Sequence, residues 1–98
     1  MDVEFDDDDL ERLEKDASHN CGHAAAIVHA FQKLLRLIRS AADERDFRAM
    51  RSLNFEKLKG DRAHQHSMRL NKQWRLVIEL KPGTPKNIVV VIAIEDYH

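Results

Sequence analysis

The first half of the chain places its hydrophobic residues at helical spacing, after a short alternating segment. Residues 3–5 alternate apolar and polar positions and predict a short strand. Apolar positions then recur every three or four residues. Helices are predicted over residues 6–17, 24–42 and 43–51. The second helix has the longest buried stripe, and the third is expected to turn Phe47 and Met50 inward.

The second half changes to a period of two, which is typical of half-buried strands. Alternation occurs over residues 55–58, 66–70 and 73–80. Residues 81–86 contain two prolines and a glycine and predict a turn. Residues 88–94 are continuously apolar, which predicts a central strand covered on both faces. We expect a single α+β domain over residues 1–98, with a short N-terminal strand and two to three helices packed on a mainly antiparallel sheet of four to five strands.

The apolar pattern predicts the register of the hairpin between the second and third alternating segments. A two-residue turn would mix apolar and charged residues on both faces, whereas a three-residue connection over residues 71–73 gives one coherent apolar face. The favoured register is read from three facing pairs: Leu70 with Trp74, Met68 with Leu76, and His66 with Ile78. Asn71 is the predicted left-handed residue of this turn.

This register places Arg69 directly opposite Arg75 on the polar face. Like charges that face each other across a ladder are unfavourable unless an anion or a carboxylate lies between them. Glu56 or Glu79 could neutralise the pair, the two side chains could splay into water, or the pair could bind a phosphate. The basic loop over residues 58–62, with its central glycine, could close over such a phosphate.

Composition limits the class of protein. The chain has 98 residues, 43% of them hydrophobic, which suffices for one modest core. No window approaches the ~18 consecutive apolar residues of a membrane span, and the acidic N-terminus is unlike a signal peptide. The single cysteine excludes an internal disulfide and fits a reducing cytoplasm. Aromatic residues make up only 6% of the chain, which argues against a broad base-stacking platform.

The near-neutral net charge conceals an asymmetry. Residues 1–18 hold nine acidic and two basic residues, a formal charge of −7, whereas residues 19–98 hold eight acidic and fourteen basic residues, a formal charge of +6. A basic body with one acidic segment suggests a surface that meets a polyanion, although a solvated helix face with ordinary surface lysines, the better explanation of a basic stretch alone, would give the same pattern.

Two segments offer potential metal ligands. The aspartates of residues 6–9 are better explained as helix caps, because they point around the helix in all directions. Residues 19–23 hold His19, Cys21 and His23, but structural zinc sites usually need a fourth ligand and wider spacing. A thiol nucleophile at Cys21 lacks an accompanying oxyanion-hole motif, so we expect no metal or cofactor, with the metal question at residues 19–23 left open.

Several motifs in the second half resemble a known toxin family when they are taken together. They are Glu56-Lys57-Leu58-Lys59-Gly60-Asp61-Arg62, Ser67-Met68-Arg69-Leu70-Asn71, Gln73-Trp74-Arg75 and Asp96-Tyr97-His98. In this order and spacing they resemble the HigB branch of the RelE/ParE toxins, the host-inhibition-of-growth or plasmid-maintenance killer proteins. The resemblance covers residues 53–98 closely and residues 1–52 only by length and helix order.

The resemblance implies a RelE-like fold and a ribosome-dependent mRNA endonuclease that inhibits translation and growth. Such toxins cleave mRNA in the ribosomal A site without a metal, by attack of a ribose 2′-hydroxyl on the neighbouring phosphate. The basic face would then contact the small ribosomal subunit and its RNA. The implied partner is a HigA-like antitoxin with a helix-turn-helix domain, through which the toxin would also meet operator DNA.

The resemblance also implies roles for individual residues. Lys59 and Arg75 match positions that hold the phosphate, and His98 matches the preferred general acid or base, with Tyr97 and Asp96 positioning it or the RNA. Further candidates for RNA or phosphate binding are Arg62, Arg69, Lys57, His64 and Glu56.

Glu56 stands where some relatives carry a second catalytic histidine, which leaves the general base open. Asn54, His64 and His66 are neighbouring substitutes, of which His66 is expected on the inward face. Two other functions remain possible: a ParE-type toxin that poisons DNA gyrase by binding, against which the terminal Tyr-His argues, and a noncatalytic member that only binds its antitoxin and operator DNA.

Overall fold

The computed structural model describes residues 1–96, apart from the side chain of Ala17. Its elements are β1 (Val3–Phe5), α1 (Asp8–Lys15), α2 (Ala25–Ser40), α3 (Arg45–Ala49), β2 (Glu56–Lys57), β3 (Gln65–Arg69), β4 (Trp74–Lys81) and β5 (Ile88–Asp96). Short 3₁₀ turns lie at Ala17–His19, Arg51–Leu53 and Gly60–Arg62. The α+β fold predicted from the sequence is confirmed, although α3 and β2 are shorter than expected.

The strands form one mixed sheet in the order β1-β5-β4-β3-β2. β1 runs parallel to β5, and all other neighbours are antiparallel. β5 is therefore an interior strand, as its apolar sequence predicts. Val89 and Val91 on β5 are fully buried, but Val90 is only partly buried, so the expectation that β5 is covered on both faces was wrong. The alternating burial instead shows that the helices cover one face of the sheet.

The core lies between the helices and this covered face. α2 contributes most of its apolar stripe, because residues three and four apart lie on one side of a helix. Fully buried side chains from α2 meet fully buried side chains from the sheet: Phe31, Leu35 and Ile38 on one side, and Leu76, Ile78, Val89 and Val91 on the other. Burial of each such side chain contributes roughly 1.5–3 kcal/mol.

Helix α1 is held by its cap and by α2. The Asp7 carboxylate accepts a hydrogen bond from the Asp9 amide at 2.7 Å, so the aspartate run caps the helix as the sequence indicates. Arg39 of α2 donates two hydrogen bonds to Glu14, at 2.6 and 2.7 Å. Within residues 1–96, the helices are all too short or too polar to cross a membrane.

The β3–β4 hairpin has the predicted register, with Met68 facing Leu76, Arg69 facing Arg75, and Leu70 donating to the Trp74 carbonyl at 2.9 Å. The left-handed conformation predicted for Asn71 was wrong, since Cys21 and Asn54 are the non-glycine residues with positive φ among residues 1–96. The Asn71 side-chain oxygen instead accepts hydrogen bonds from the amides of residues 73 and 74, each at 2.8 Å. Because these side-chain hydrogen bonds close the turn, the chain reverses direction without a residue of positive φ at Asn71.

Met50 is the other local error. Phe47 is fully buried as predicted, but Met50 is 40% exposed. α3 ends at Ala49, and Met50 itself has extended backbone angles before the chain tightens into the 3₁₀ turn Arg51–Leu53. Leu53 therefore reaches the core in place of Met50.

This difference gives a matched test of the core. Replacing Met68, which is 1% exposed, with alanine should lower the free energy of unfolding by about 2–5 kcal/mol. The buried side chains around Met68 would lose their contacts with it, and a cavity would remain. Met50→Ala removes the same side chain from a partly solvated position and should cost less than about 1 kcal/mol. Urea denaturation of both variants measures the difference, and equal losses would contradict the outward placement of Met50.

Candidate functional site

The face of the sheet opposite the helices carries a row of charged side chains across three strands. Arg69 of β3 faces Arg75 of β4, which in turn faces Glu95 of β5. Arg75 Nη2 lies 3.4 Å from Glu95 Oε1, and Arg69 Nε donates to the Asn71 carbonyl at 3.2 Å. The carboxylate beside Arg75 is thus Glu95, which sequence reasoning did not consider.

The basic loop between β2 and β3 places a third arginine at this row. Leu58 donates to the Gln65 carbonyl at 2.9 Å and closes the loop, and Gly60 has a φ of +65°, a conformation that favours glycine. Arg62 then donates from Nη1 and Nη2 to the two Glu95 oxygens at 3.0 and 2.6 Å, and from Nε to Gln65 at 2.9 Å.

A cleft of about 280 Å³ opens between this loop and the sheet. Its described lining is Glu56, Lys57, Leu58, Lys59, Arg62 and Arg75. Five of the residues selected from the sequence therefore meet in one concave site, four of them cationic. Arg75 is the more enclosed of the two arginines, with a side chain only 18% exposed against 40% for Arg62. Such a cluster suits an anion with several oxygens, because guanidinium and ammonium groups donate charge-assisted hydrogen bonds to it. We call this site the basic cleft.

The charges of the basic cleft are coupled. The hydrogen bonds from Arg62, supported by Arg75, hold the pKa of Glu95 below its usual value although partial burial opposes this. The same ion pair raises the pKa of Arg62. Glu95 therefore stays ionised at neutral pH, which makes it a poor proton acceptor.

Other selected residues lie apart from the lining. The His64 side chain is 61% exposed, and its Nε2 atom lies 3.6 Å from Glu79. Asp96 pairs with Trp74 in the ladder, so strand alternation turns its side chain toward the opposite face from Arg75. Asp96 accepts a hydrogen bond from Gln73 at 3.1 Å. Tyr97 and His98, the remaining two, lie outside the described residues.

His66 occupies the partly buried, inward position expected from the alternation. Its ring stacks on Phe55 with a centroid separation of 4.8 Å and an angle of 5°. Desolvation is the main cause that lowers the pKa of His66, and the nearby charges of Arg48 and Lys57 act in the same direction, whereas Glu44 opposes them.

Of the potential metal ligands at residues 19–23, His19 and Cys21 contact different atoms of Asp9, whereas His23 contacts Trp74. His19 lies 3.0 Å from an Asp9 oxygen, Cys21 donates to the Asp9 carbonyl at 3.6 Å, and His23 meets the Trp74 ring edge-on. In the part of the chain that the structure describes, no three or more such side chains gather around a common point.

A larger open groove of about 430 Å³ lies beside the turn after α3. Its described lining is Arg48, Met50, Arg51, Asn54 and Phe55, and the Arg48 guanidinium lies 5.1 Å from the centre of the Phe55 ring. Asn54, one of the substitute candidates for the general base, lines this groove, but none of the predicted RNA-binding or phosphate-binding residues does, so the basic cleft remains the candidate site.

Comparison with known proteins first defines the class. The structure is similar to that of a YoeB/ParE toxin from Agrobacterium tumefaciens, with a TM-score of 0.64, 20% sequence identity and complete coverage of both chains. At this identity the similarity establishes the fold, which is that of RelE-like toxins.

The family follows from the sequence match. Residues 3–98 match the model of a family described as the RelE-like toxin of the type II toxin-antitoxin system HigB. The chain therefore belongs to the HigB-like toxin family and is a toxin of a type II toxin–antitoxin system, which implies an antitoxin partner. A search of curated proteins found no match.

The lowered pKa of His66 predicts a pH dependence of stability. The unfolded chain takes up a proton at this histidine near pH 6.5, before the folded protein does, so acidification below about pH 6.5 should destabilise the fold until the lower folded pKa is passed. His66→Phe keeps an aromatic ring against Phe55 and cannot be protonated, so this variant should lose less stability than the wild type between about pH 7.5 and pH 5.

Urea denaturation across that range measures the slope. His64→Gln is the matched control, because it removes a largely exposed histidine two residues away and should leave the slope of the wild type almost unchanged. If His66→Phe and the wild type lose stability in parallel, desolvation of His66 has no part in the pH dependence.

Proposed function

We propose that this toxin is an endoribonuclease that cleaves mRNA on the ribosome by attack of a ribose 2′-hydroxyl on the adjacent phosphate. The observation that carries the proposal is the basic cleft itself, a concave site with four cationic side chains in a toxin of this family. The charge suits a phosphodiester, and the size of about 280 Å³ suits a sugar–phosphate unit better than a folded partner.

The cations supply the electrostatic part of the reaction. In-line attack adds negative charge to the phosphorus oxygens, and donors fixed in advance stabilise that charge more than mobile ones do. Lys59 and Arg75 are our candidates for direct contact with the scissile phosphate, since both line the cleft and Arg75 is held on a strand. Lys57, Arg62 and Arg69 would add positive charge along the RNA backbone.

Proton transfer requires a base for the 2′-hydroxyl and an acid for the leaving 5′-oxygen. His98 is our candidate for one of these roles and Tyr97 for a positioning group, whereas Asp96 is not kept in that role because its side chain turns to the opposite face from Arg75. Chain connectivity supports the reach of His98, because three residues span at most about 11 Å and Glu95 lies opposite Arg75. Glu56, on the cleft lining, is the second candidate for the base.

The proposed biological partners follow from this activity. The toxin would act on mRNA in the A site, with its basic surface against the RNA of the small ribosomal subunit. A HigA-like helix-turn-helix antitoxin would neutralise it and carry it to operator DNA. Such a cycle belongs in the cytoplasm, where translation takes place.

Arg75→Ala tests the mechanism. It should reduce mRNA cleavage in a reconstituted translation system at least roughly 100-fold, because one donor to the developing phosphate charge is lost. Primer extension on translated mRNA measures the cuts. Arg36→Ala, an exposed arginine on α2 outside the basic cleft, is the matched control and should cleave like the wild type.

The same assay separates the alternatives. His98→Gln and Glu56→Gln show which group moves protons, since the variant without the base or acid should lose cleavage while keeping ribosome binding. Intact mRNA with stalled replication in cells that make the wild-type toxin would instead support gyrase poisoning. Undiminished cleavage by Arg75→Ala would refute the proposed role of the basic cleft.

A further inference from the structure

We propose that Glu95 is a positioning residue of the basic cleft, which holds the guanidinium groups of Arg62 and Arg75 in place for the scissile phosphate. This inference rests on the proposed function and deepens it by assigning a role to a residue that does not itself line the cleft. Three features of the described residues carry it.

The first feature is the way Arg62 is bound. Its Nη1 and Nη2 atoms both donate to Glu95, at 3.0 and 2.6 Å, and its Nε atom donates to Gln65 at 2.9 Å. These contacts use three of the five N–H donors of an arginine and fix the plane of the guanidinium. Gln65 is itself anchored, because its amide donates to Glu79 at 3.1 Å. Arg62 would otherwise swing freely, since it comes from a surface loop.

The second feature is that the same carboxylate reaches Arg75. Glu95 Oε1 accepts from Arg62 at 3.0 Å and lies 3.4 Å from Arg75 Nη2. One negative charge between two positive ones offsets their mutual repulsion and allows both to remain at one wall of the cleft. Because the Arg62–Glu95 pair is bidentate, the Arg62 side chain is already ordered and loses little further conformational entropy when a ligand binds.

The third feature is the position of Glu95 relative to the cleft. Arg62 and Arg75 belong to the lining, whereas Glu95 is absent from the lining that the structure describes. The carboxylate therefore contacts the two guanidinium groups from outside the described lining, and the lining itself presents the arginines to a ligand. A carboxylate that blocked the phosphate position would be expected among the lining residues.

Two other roles for Glu95 make different predictions. As a general base it would need to accept a proton near neutral pH, which its ion pairs oppose. As an internal competitor for the phosphate it would weaken RNA binding, so its removal would strengthen binding. Positioning predicts the opposite: removal of the charge should slow the reaction, because two donors lose their fixed geometry.

Glu95→Gln is the test, with Glu4→Gln as the matched control. Glu4 lies on the same polar face of the sheet and pairs with Lys81 at 3.1 Å, but it does not line the basic cleft. Glu95→Gln should lower the kcat of mRNA cleavage about 10- to 100-fold, with a smaller change in KM and an unchanged shape of the pH–rate profile. Glu95→Asp keeps the charge on a shorter side chain and should restore part of the rate.

An NMR measurement gives a second readout that does not depend on cleavage. The Nε–Hε signals of Arg62 and Arg75, assigned with Arg62→Lys and Arg75→Lys, report whether each guanidinium is held. Glu95→Gln should shift the Arg62 signal and speed its exchange with water, and inorganic phosphate should then perturb the Arg75 signal more weakly than in the wild type. Glu4→Gln should change neither signal.

The outcomes separate this inference from the proposed function. If the wild type cleaves no mRNA while Glu95→Gln still releases the two arginines, the nuclease proposal fails, and what stands is that Glu95 holds the two guanidinium groups in place, without a scissile phosphate. If the wild type cleaves and Glu95→Gln matches it in rate and in arginine signals, the positioning role is wrong. Stronger RNA binding by Glu95→Gln would mark Glu95 as a competitor, and a lost limb of the pH–rate profile would mark it as the base; either result overturns the inference.

Discussion

The register of the β3–β4 hairpin is the constraint on which both the core and the site depend. Side chains of a strand alternate between two faces, so a shift of one residue would exchange every buried position for an exposed one. The three-residue connection sets Met68 against Leu76 in the core and, by the same alternation, sets Arg69 against Arg75 outside it. The hydrophobic burial that stabilises the fold therefore also fixes the position of Arg75.

Cations placed together on one face repel each other, and a carboxylate from the next strand offsets this repulsion. Glu95 lies between Arg62 and Arg75, and its pKa is lowered by both. The ion pairs are partly exposed, so they contribute little to global stability, and their main effect is on local geometry. A loop and two strands thereby converge on one small volume. This arrangement explains how a chain with a formal charge of −1 can present a strongly basic cleft.

The predictable features were those fixed by local periodicity. The hairpin register followed from the need for one apolar face, and it correctly placed Arg69 opposite Arg75. The partner of Arg75 could not be found in this way, because residues 88–94 are all apolar and contain no polar marker of register. The pairing of β4 with β5 also shifts register between Val77 and Ile78, which alternation alone does not reveal. The prediction that Met50 points inward was wrong for a related reason. Met50 has extended backbone angles and ends α3, and no glycine or proline in the sequence marks that end.

The same strands thus contribute to both the hydrophobic core and the basic cleft, because alternate residues of a strand point to opposite faces of the sheet. Met68 and Arg69 are neighbours in sequence, yet one is 1% exposed in the core and the other lies on the polar face. Sites built on strands are held more rigidly than sites built on loops alone, because the packing of one face fixes the strand backbone from which the side chains of the other face project. The loop that carries Lys59 lacks this support and depends on Arg62 for its attachment to Glu95. The loop is therefore the least rigid part of the basic cleft and limits how well the cleft is preorganised. The ion pair between Arg62 and Glu95 ties this loop to the sheet and reduces its freedom to move.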